Sequence, residues 1–267
     1  MNAAPVAPAG LGLAALWRRR DLWAALVVRD IRLRHRQTLL GMAWALLRPA
    51  AALAVFTLVF GRVARMPSEG LPYEVFACAG LLAWTFVASA VGGAAHSLAG
   101  ASNLITSIAF PRLLLPLASF GVAALDLLVA TLLLVPLLFV HGLAPDVRLL
   151  LLPLALLWLA AAAAALAVPL SALVVRWRDF AHATPFLLQI GLFVTPVLFP
   201  RSALDEGWRP WAALNPLSGP VELFRASLVG TPLDLPGLAL SLGAGLVLLL
   251  LGLLLFRRAE RLLADVV

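Results

Sequence analysis

The chain has 267 residues, 63% of them hydrophobic and 12% charged, with a mean hydropathy of +1.02 and a formal net charge of +7. Soluble domains are nearer half apolar and about a quarter charged, so the composition excludes a chain built around one water-solvated core. Every one of the 20 residues counted as Lys or Arg is Arg. A P-loop needs a Lys to reach the terminal phosphates of a nucleotide, so a standard Walker A motif is excluded too, and any ATP this chain's work requires is hydrolysed elsewhere. At roughly 20 apolar residues per crossing plus connections, the length suits about six spans in a single membrane domain, 1–267.

The first residues do not read as a secretory signal, because the apolar stretch Val6 to Leu16 precedes Arg18, Arg19 and Arg20, the reverse of the usual order. Residues 13–36 read as an amphipathic interface helix. Leu16, Trp17, Trp23, Leu26, Val27 and Ile31 recur near helical spacing, with Arg19, Arg20, Asp30 and Arg34 between them. The alternative is a solvated basic tail. Six apolar stretches follow, at about 39–60, 73–97, 113–140, 149–175, 181–199 and 235–256. Each is long enough to cross as a helix, whose backbone bonds are satisfied internally. Pro116, Pro136, Pro185 and Pro196 predict kinks, since neighbouring helices and local adjustments re-satisfy the freed carbonyls. The lone Cys78 rules out an intramolecular disulfide and reads as a small buried side chain.

The segment 200–234 is too polar and Pro-rich for a clean span and too apolar for a plain loop. It predicts two short helices over 200–230 that dip into the outer leaflet and return. Such backbone is tolerated only where protein or a water-filled cavity shields it, which makes the segment a candidate gate. Arg placement sets topology. Arg18, Arg19, Arg20, Arg29, Arg32, Arg34, Arg36, Arg48, Arg112, Arg176, Arg178, Arg257, Arg258 and Arg261 fall on one side, leaving Arg62, Arg65, Arg148, Arg201, Arg209 and Arg225 on the other. The positive-inside rule then puts both termini in the cytoplasm.

Catalytic signatures are sparse. His35, His96, His141 and His182 are far apart, no HExxH spacing occurs and no GxSxG is present. No metal ligand set is expected. The basic residues flank spans, so anionic headgroups account for them better than nucleic acid does. Asp126, near the middle of the third stretch, is costly there without a partner. It reads either as a proton- or substrate-linked group or, preferably, as a carboxylate paired with another helix or set at a wet subunit interface. The links SNLITSIAFPR (102–112) and RWRDF (176–180) mix polar with bulky apolar residues. A short helix exposing Ile108, Phe110 or Phe180 would suit a cytoplasmic partner, whereas snorkelling Arg at helix ends is the plainer account.

Several runs then carry a resemblance. RDIRLRHRQTLLGMAWALLRP (29–49), LVFGRVARMPSEGLPYEVFACAGLLAWTFVASAV (58–91), SNLITSIAFPRLLLPL (102–117), VVRWRDFAHATPFLLQIGLFVTPVLFP (174–200) and LNPLSGPVELFRASLVG (214–230) resemble, in order, polysaccharide-export permeases of the ABC type-2 transporter family. The resemblance implies an all-α membrane protein with six transmembrane helices and a surface helix before the first. It implies a homodimer carrying two copies of a separate nucleotide-binding ATPase, which would hold ATP and Mg, so this chain needs no cofactor of its own. It also implies a lipid-linked substrate such as O-antigen, capsule or teichoic acid, and an inner-membrane location.

By the same resemblance, Arg29, Asp30, Arg32 and Arg34 would belong to the ATPase-docking region. Asn103, Phe110, Arg112, Arg176, Arg178, Asp179 and Phe180 would belong to coupling elements, and 200–230, with Trp208, Trp211 and Asn215, would shape the exit. Aromatic faces suit sugar rings, so Phe60, Tyr73, Trp84 and Phe86 are candidate lining residues, against lipid or core packing as the plainer account. Rival readings are an ABC type-2 exporter of a drug or small lipid, an intramembrane enzyme acting on lipid-linked sugars, and a channel that works without ATP.

Overall fold

The computed structural model describes residues 17–35, 41–101, 104, 110–144 and 146–266, and all regular structure among them is helical. In chain order the helices are α1 (Arg20–His35), α2 (Ala43–Phe56), α3 (Tyr73–Ser97), α4 (Leu114–Thr131), α5 (Leu134–Val140), α6 (Leu152–Arg176), α7 (Asp179–Val194), α8 (Arg209–Leu214), α9 (Ser218–Val229) and α10 (Leu235–Val266). A π-helical turn, Thr57–Val63, prolongs α2, and a 3-10 turn, Val147–Leu151, leads into α6. Five of the predicted stretches appear as helices long and apolar enough to cross a membrane: Ala43–Val63, Tyr73–Ser97, Leu114–Val140, Val147–Arg176 and Leu235–Arg258.

The stretch expected at 181–199 differs. It is the 16-residue α7, about 24 Å long at 1.5 Å per residue, against a hydrocarbon core of about 30 Å. Its end has a local cause. Thr195 is extended (φ −87°, ψ 142°) before Pro196, because the proline ring crowds the α conformation of the residue before it. Two other prolines mark a break and a start. Pro136 cannot donate to the carbonyl of Leu132, and the chain turns at Leu132–Leu133 between α4 and α5. Pro153 sits in the first turn of α6, where its missing N–H costs nothing. The last helix runs past 256 to Val266.

Helix α3 is the hub. It packs against α4 and α6 most extensively, and also against α2, α7 and α9, while α10 lies along α6. Without water to expel between lipid-facing helices, close approach of small residues is what holds them together. Ala77, Ala79, Ala83, Ala90, Ala94 and Ala95 of α3 are fully covered. At Gly93 a side chain would overlap Ser119 of α4, whose hydroxyl donates to the Ala90 carbonyl at 2.9 Å. Cys78 is buried in this core.

Helix α1 lies on α4 through Leu26, with Trp23 donating its indole N–H to the Leu117 carbonyl at 3.0 Å. Of the described large apolar residues in the 13–36 stretch, Trp17, Val28 and Leu33 are exposed. The segment 200–230 contains two short helices, α8 and α9, as its sequence predicted. Helix α9 packs on α3 and α6, and α8 on α10. Gly230 closes α9 in the left-handed conformation (φ 75°), which glycine adopts without steric cost. Arg148 then donates to the Gly230 and Thr231 carbonyls at 2.7 and 3.0 Å, a cation at the negative end of the helix.

Candidate functional site

The polar side chains gather at two levels along α3. Ser89 marks one level and Phe76 the other, about 20 Å apart along the helix axis.

At the first level stands Asp126 of α4, with its side chain 6% exposed. Its Oδ2 accepts from Arg34 Nη1 at 2.6 Å and from Ser89 Oγ at 2.7 Å. The carboxylate is thus paired with another helix, the structural reading preferred from sequence. Two elements fix the geometry. α1 brings Arg34 across its seat on α4, and a polar Ser on α3 supplies a neutral donor. Over this triad opens a cavity of about 550 Å³ between α2, α3 and α7, lined by Trp44, Arg48, Phe56, Trp84 and Leu192 among others. Arg48 stacks on Trp44, its guanidinium carbon 5.7 Å from the ring centre. The cavity combines apolar walls with a few converging polar groups, the usual composition of a small-molecule site.

The other predicted docking residues of α1 sit apart from Arg34. Arg29 and Arg32 line a shallow groove with Ala24, Ala25, Val28 and Leu33 on the open face of the helix. Arg29 pairs with its neighbour Asp30 at 2.8 Å. Asn103 and Ile108 lie outside the described residues. Phe110 departs from the exposure expected of it. It is buried at 8% beside Leu98, Leu113 and Leu114, so it anchors the link instead of presenting a knob. Arg112 is half-buried. In the second link Arg176, Arg178 and Asp179 are exposed and Phe180 is half-buried. Trp177, which sequence reading did not single out, is 49% exposed and stacks between the Arg176 guanidinium (4.9 Å) and the Phe180 ring (6.2 Å).

At the second level, α9 delivers Arg225 into the core. It is 2% exposed, lies 3.9 Å over the Phe76 ring and donates to the Pro196 and Val197 carbonyls at 2.9 and 2.6 Å. Those carbonyls belong to the turn after α7, which has left helical bonding and needs donors. Tyr73 adds one more, its hydroxyl donating to the Leu198 carbonyl at 2.9 Å. Asn215 donates to Thr195 Oγ1 at 2.9 Å and accepts from the Leu217 N–H at 3.0 Å, joining α7, α8 and α9. Gly80 leaves the room this needs, since a side chain there would overlap the Val197 carbonyl and the Arg225 guanidinium. Arg201 pairs with Glu222 of α9 at 2.6 Å and with Asp234 at 3.2 Å. Burial pushes the Glu222 carboxyl up to about 7, with Arg201 and then Arg225 pulling the other way.

The aromatic candidates separate. Trp84 is 7% exposed and packs on Gly191 of α7. Phe86 is 5% exposed and meets Phe120 edge to face. Phe60 is half-buried against Phe56, whereas Trp208 and Trp211 are two-thirds exposed. Sequence reading missed Glu222 and Asp234 and treated Arg201 and Arg225 only as topology markers. The available signal was Glu222 and Arg225 three residues apart in an otherwise apolar helix, where ionisable side chains are rare and partnered. Among the described residues no group of three His, Cys, Asp or Glu converges to hold a metal ion.

An all-helical bundle with several membrane-length apolar helices is the build of a multi-pass membrane protein. Residues 21–229 match the family model of the ABC-2 type transporter, and the chain belongs to that family. It is 34% identical over 217 residues to an O-antigen export system permease protein of Myxococcus xanthus, covering 79% of this chain and 81% of the relative. It is 22% identical over 247 residues to an O-antigen export system permease protein of Klebsiella pneumoniae, covering 92% of this chain and 95% of the relative.

Proposed function

We propose that this chain is the membrane-spanning permease of an ABC exporter that moves a lipid-linked polysaccharide, O-antigen or capsule, across the inner membrane. The observation that carries the reading is the similarity to O-antigen export permeases along nearly the whole chain. The absence of any Lys, and with it of a standard P-loop, fits an engine on another chain.

In this reading the permease is a homodimer with two ATPase subunits, and both termini are cytoplasmic. Six segments cross, with α7 completing its crossing through the irregular segment Thr195–Pro200. ATP closes the ATPase pair, and that motion enters through the open face of α1 (Arg29, Arg32) and through the link containing Arg176, Trp177, Arg178, Asp179 and Phe180. Arg34 passes it inward, because its hydrogen bond to Asp126 ties α1 to α4 and, through Ser89, to α3. The end of α7 is held by Arg225, Tyr73 and Asn215, so movement of α7 reaches α8 and α9, which form the exit. The work of this chain is positional: it binds, tilts and opens, and the hydrolysis belongs to the partner.

The test is ATPase activity of this protein purified with the ATPase encoded beside it, in lipid, with and without lipid-linked polysaccharide. Stimulation by that substrate supports the reading. Stimulation by a drug or short-chain lipid in its place moves the chain to the first rival. Turnover of lipid-linked sugars by this chain alone overturns it.

A further inference from the structure

Beside Arg225 lies a cavity of about 300 Å³ whose charged lining is Glu69, Arg201, Arg209, Glu222, Arg225 and Asp234. We infer, on the basis of the export reading above, that this cavity binds one neutral, hydroxyl-rich sugar unit as the chain leaves the permease.

The inference starts from hydrogen bonds that the fold leaves open. Arg201 has its side chain 5% exposed and Arg225 is 2% exposed. Even so, Arg201 Nε and Nη1, Arg225 Nε and Glu222 Oε1 are buried without a partner among the described residues. Leaving a buried donor or acceptor unmatched costs about 1–3 kcal/mol each, more when charged, so four such atoms on three residues that line one small space call for a ligand. The cluster is also built for its place. A side chain on Gly237 at the start of α10 would overlap the Arg201 guanidinium, and one on Gly80 would overlap that of Arg225. Ser202 donates to Glu69 Oε1 at 2.5 Å, and Arg209 donates to the Ser202 and Leu204 carbonyls at 3.0 and 2.9 Å, closing the rim.

The chemistry of the lining selects the ligand class. Three guanidiniums and three carboxyl groups line the cavity, so it carries no large excess of either sign that would favour a phosphate or a cation. What it offers is unmatched guanidinium N–H donors beside an unmatched carboxylate acceptor. A hydroxyl both donates and accepts, so neighbouring hydroxyls on one ring can take the Arg201 and Arg225 donors and give to Glu222. The volume is at the lower end of small-molecule sites, which begin near roughly 300 Å³, and suits one ring rather than a stretch of chain.

The experiment is saturation-transfer NMR on the permease with its partner ATPase in lipid nanodiscs, using free mannose, galactose, rhamnose and N-acetylglucosamine as probes and inorganic phosphate as competitor. Transfer to at least one of these sugars is expected, unaffected by phosphate and weakened about tenfold by Glu222→Gln, the scale of one charge-assisted hydrogen bond. Should Glu222→Gln fail to fold, Asp234→Asn, on a side chain 59% exposed at the rim, serves in its place with the same expected direction. No transfer to any probe overturns the inference, as does displacement by phosphate or a signal unchanged in the variant. ATP hydrolysis in the same preparation keeps the two readings apart. Stimulation by lipid-linked polysaccharide without sugar transfer removes this site and leaves the exporter, and sugar transfer without such stimulation does the reverse.

Discussion

Helix α2 with its π-helical extension and helix α3 look alike as sequences and sit in opposite surroundings. Both are apolar and of membrane length, yet 78% of the most apolar stretch of Tyr73–Ser97 is buried within the chain, against 11% for Ala43–Val63. Val55, Leu58 and Val63 of the latter are more than half exposed. Hydropathy reports that a segment can cross, because hydrocarbon and protein interior are equally welcoming to Leu and Val. It does not report which helix is enclosed by its neighbours. In α3 the enclosure is built on small residues: Ala77, Ala79, Ala83, Ala90, Ala94 and Ala95 are fully covered, Gly80 and Gly93 sit where a neighbouring backbone or side chain comes within reach of the missing Cβ, and polar partners then lock the contact.

The largest expected effect comes from filling that space. Gly80→Leu drives a side chain into the Val197 carbonyl and Arg225, and should cost about 3 kcal/mol or more, read as loss of the monodisperse peak in size-exclusion chromatography. Next is Arg34→Ala, which strands the buried Asp126 carboxylate. Breaking a buried pair this way costs about 3–5 kcal/mol, and the partial exposure of Arg34, 41% of its side chain, brings the expectation to about 2 kcal/mol. Thermal unfolding of Arg34→Ala with Asp126→Asn should recover most of the loss. Failure to recover would show that Arg34 acts by packing alone.

A pH effect is smaller. The Glu222 carboxyl rises from 4.5 to about 7 because burial disfavours its charge. The native state then binds the proton more tightly than the unfolded chain, so this contribution is complete below about pH 4.5 and fades as pH climbs through about 7. The melting temperature of the wild type should fall across that window relative to Glu222→Gln, and a constant difference would argue against it. Smallest of all, Leu58→Ala on the open face of the π-helical turn after α2 should stay within about 0.5 kcal/mol in lipid nanodiscs. A loss of 2 kcal/mol there would mean that this face is covered by protein, as a second copy of the chain would cover it.

Much of the fold was legible because helix length and apolar run coincide in a membrane. Tyr73–Ser97 has the expected bounds, and the two short helices of 200–230 appear where Pro and polar residues break the apolar pattern. The α7 stretch was read as too long, since Thr195 before Pro196 ends the helix while the apolar residues continue to Phe199. Pairings at long range were not legible. Arg34 and Asp126 are 92 residues apart, and only packing of α1 on α4 joins them. The burial of Phe110 was hidden for the same reason: an aromatic side chain at a link serves equally as knob or anchor until its neighbours are known. Glu222 and Arg225 were within reach, as two ionisable residues in an apolar helix, but Arg201 and Asp234 meet them only through the turns before α8 and α10.

The central claim is that this chain moves a lipid-linked polysaccharide when a partner hydrolyses ATP. The most direct measurement is transport in proteoliposomes holding this permease and its adjacent ATPase, with lipid-linked polysaccharide loaded on the ATPase side and its appearance on the far side followed with a sugar-specific lectin. The account predicts ATP-dependent appearance of the intact chain, abolished when the ATPase is omitted. Equal appearance without ATP, or none while a small lipid is moved, would contradict it.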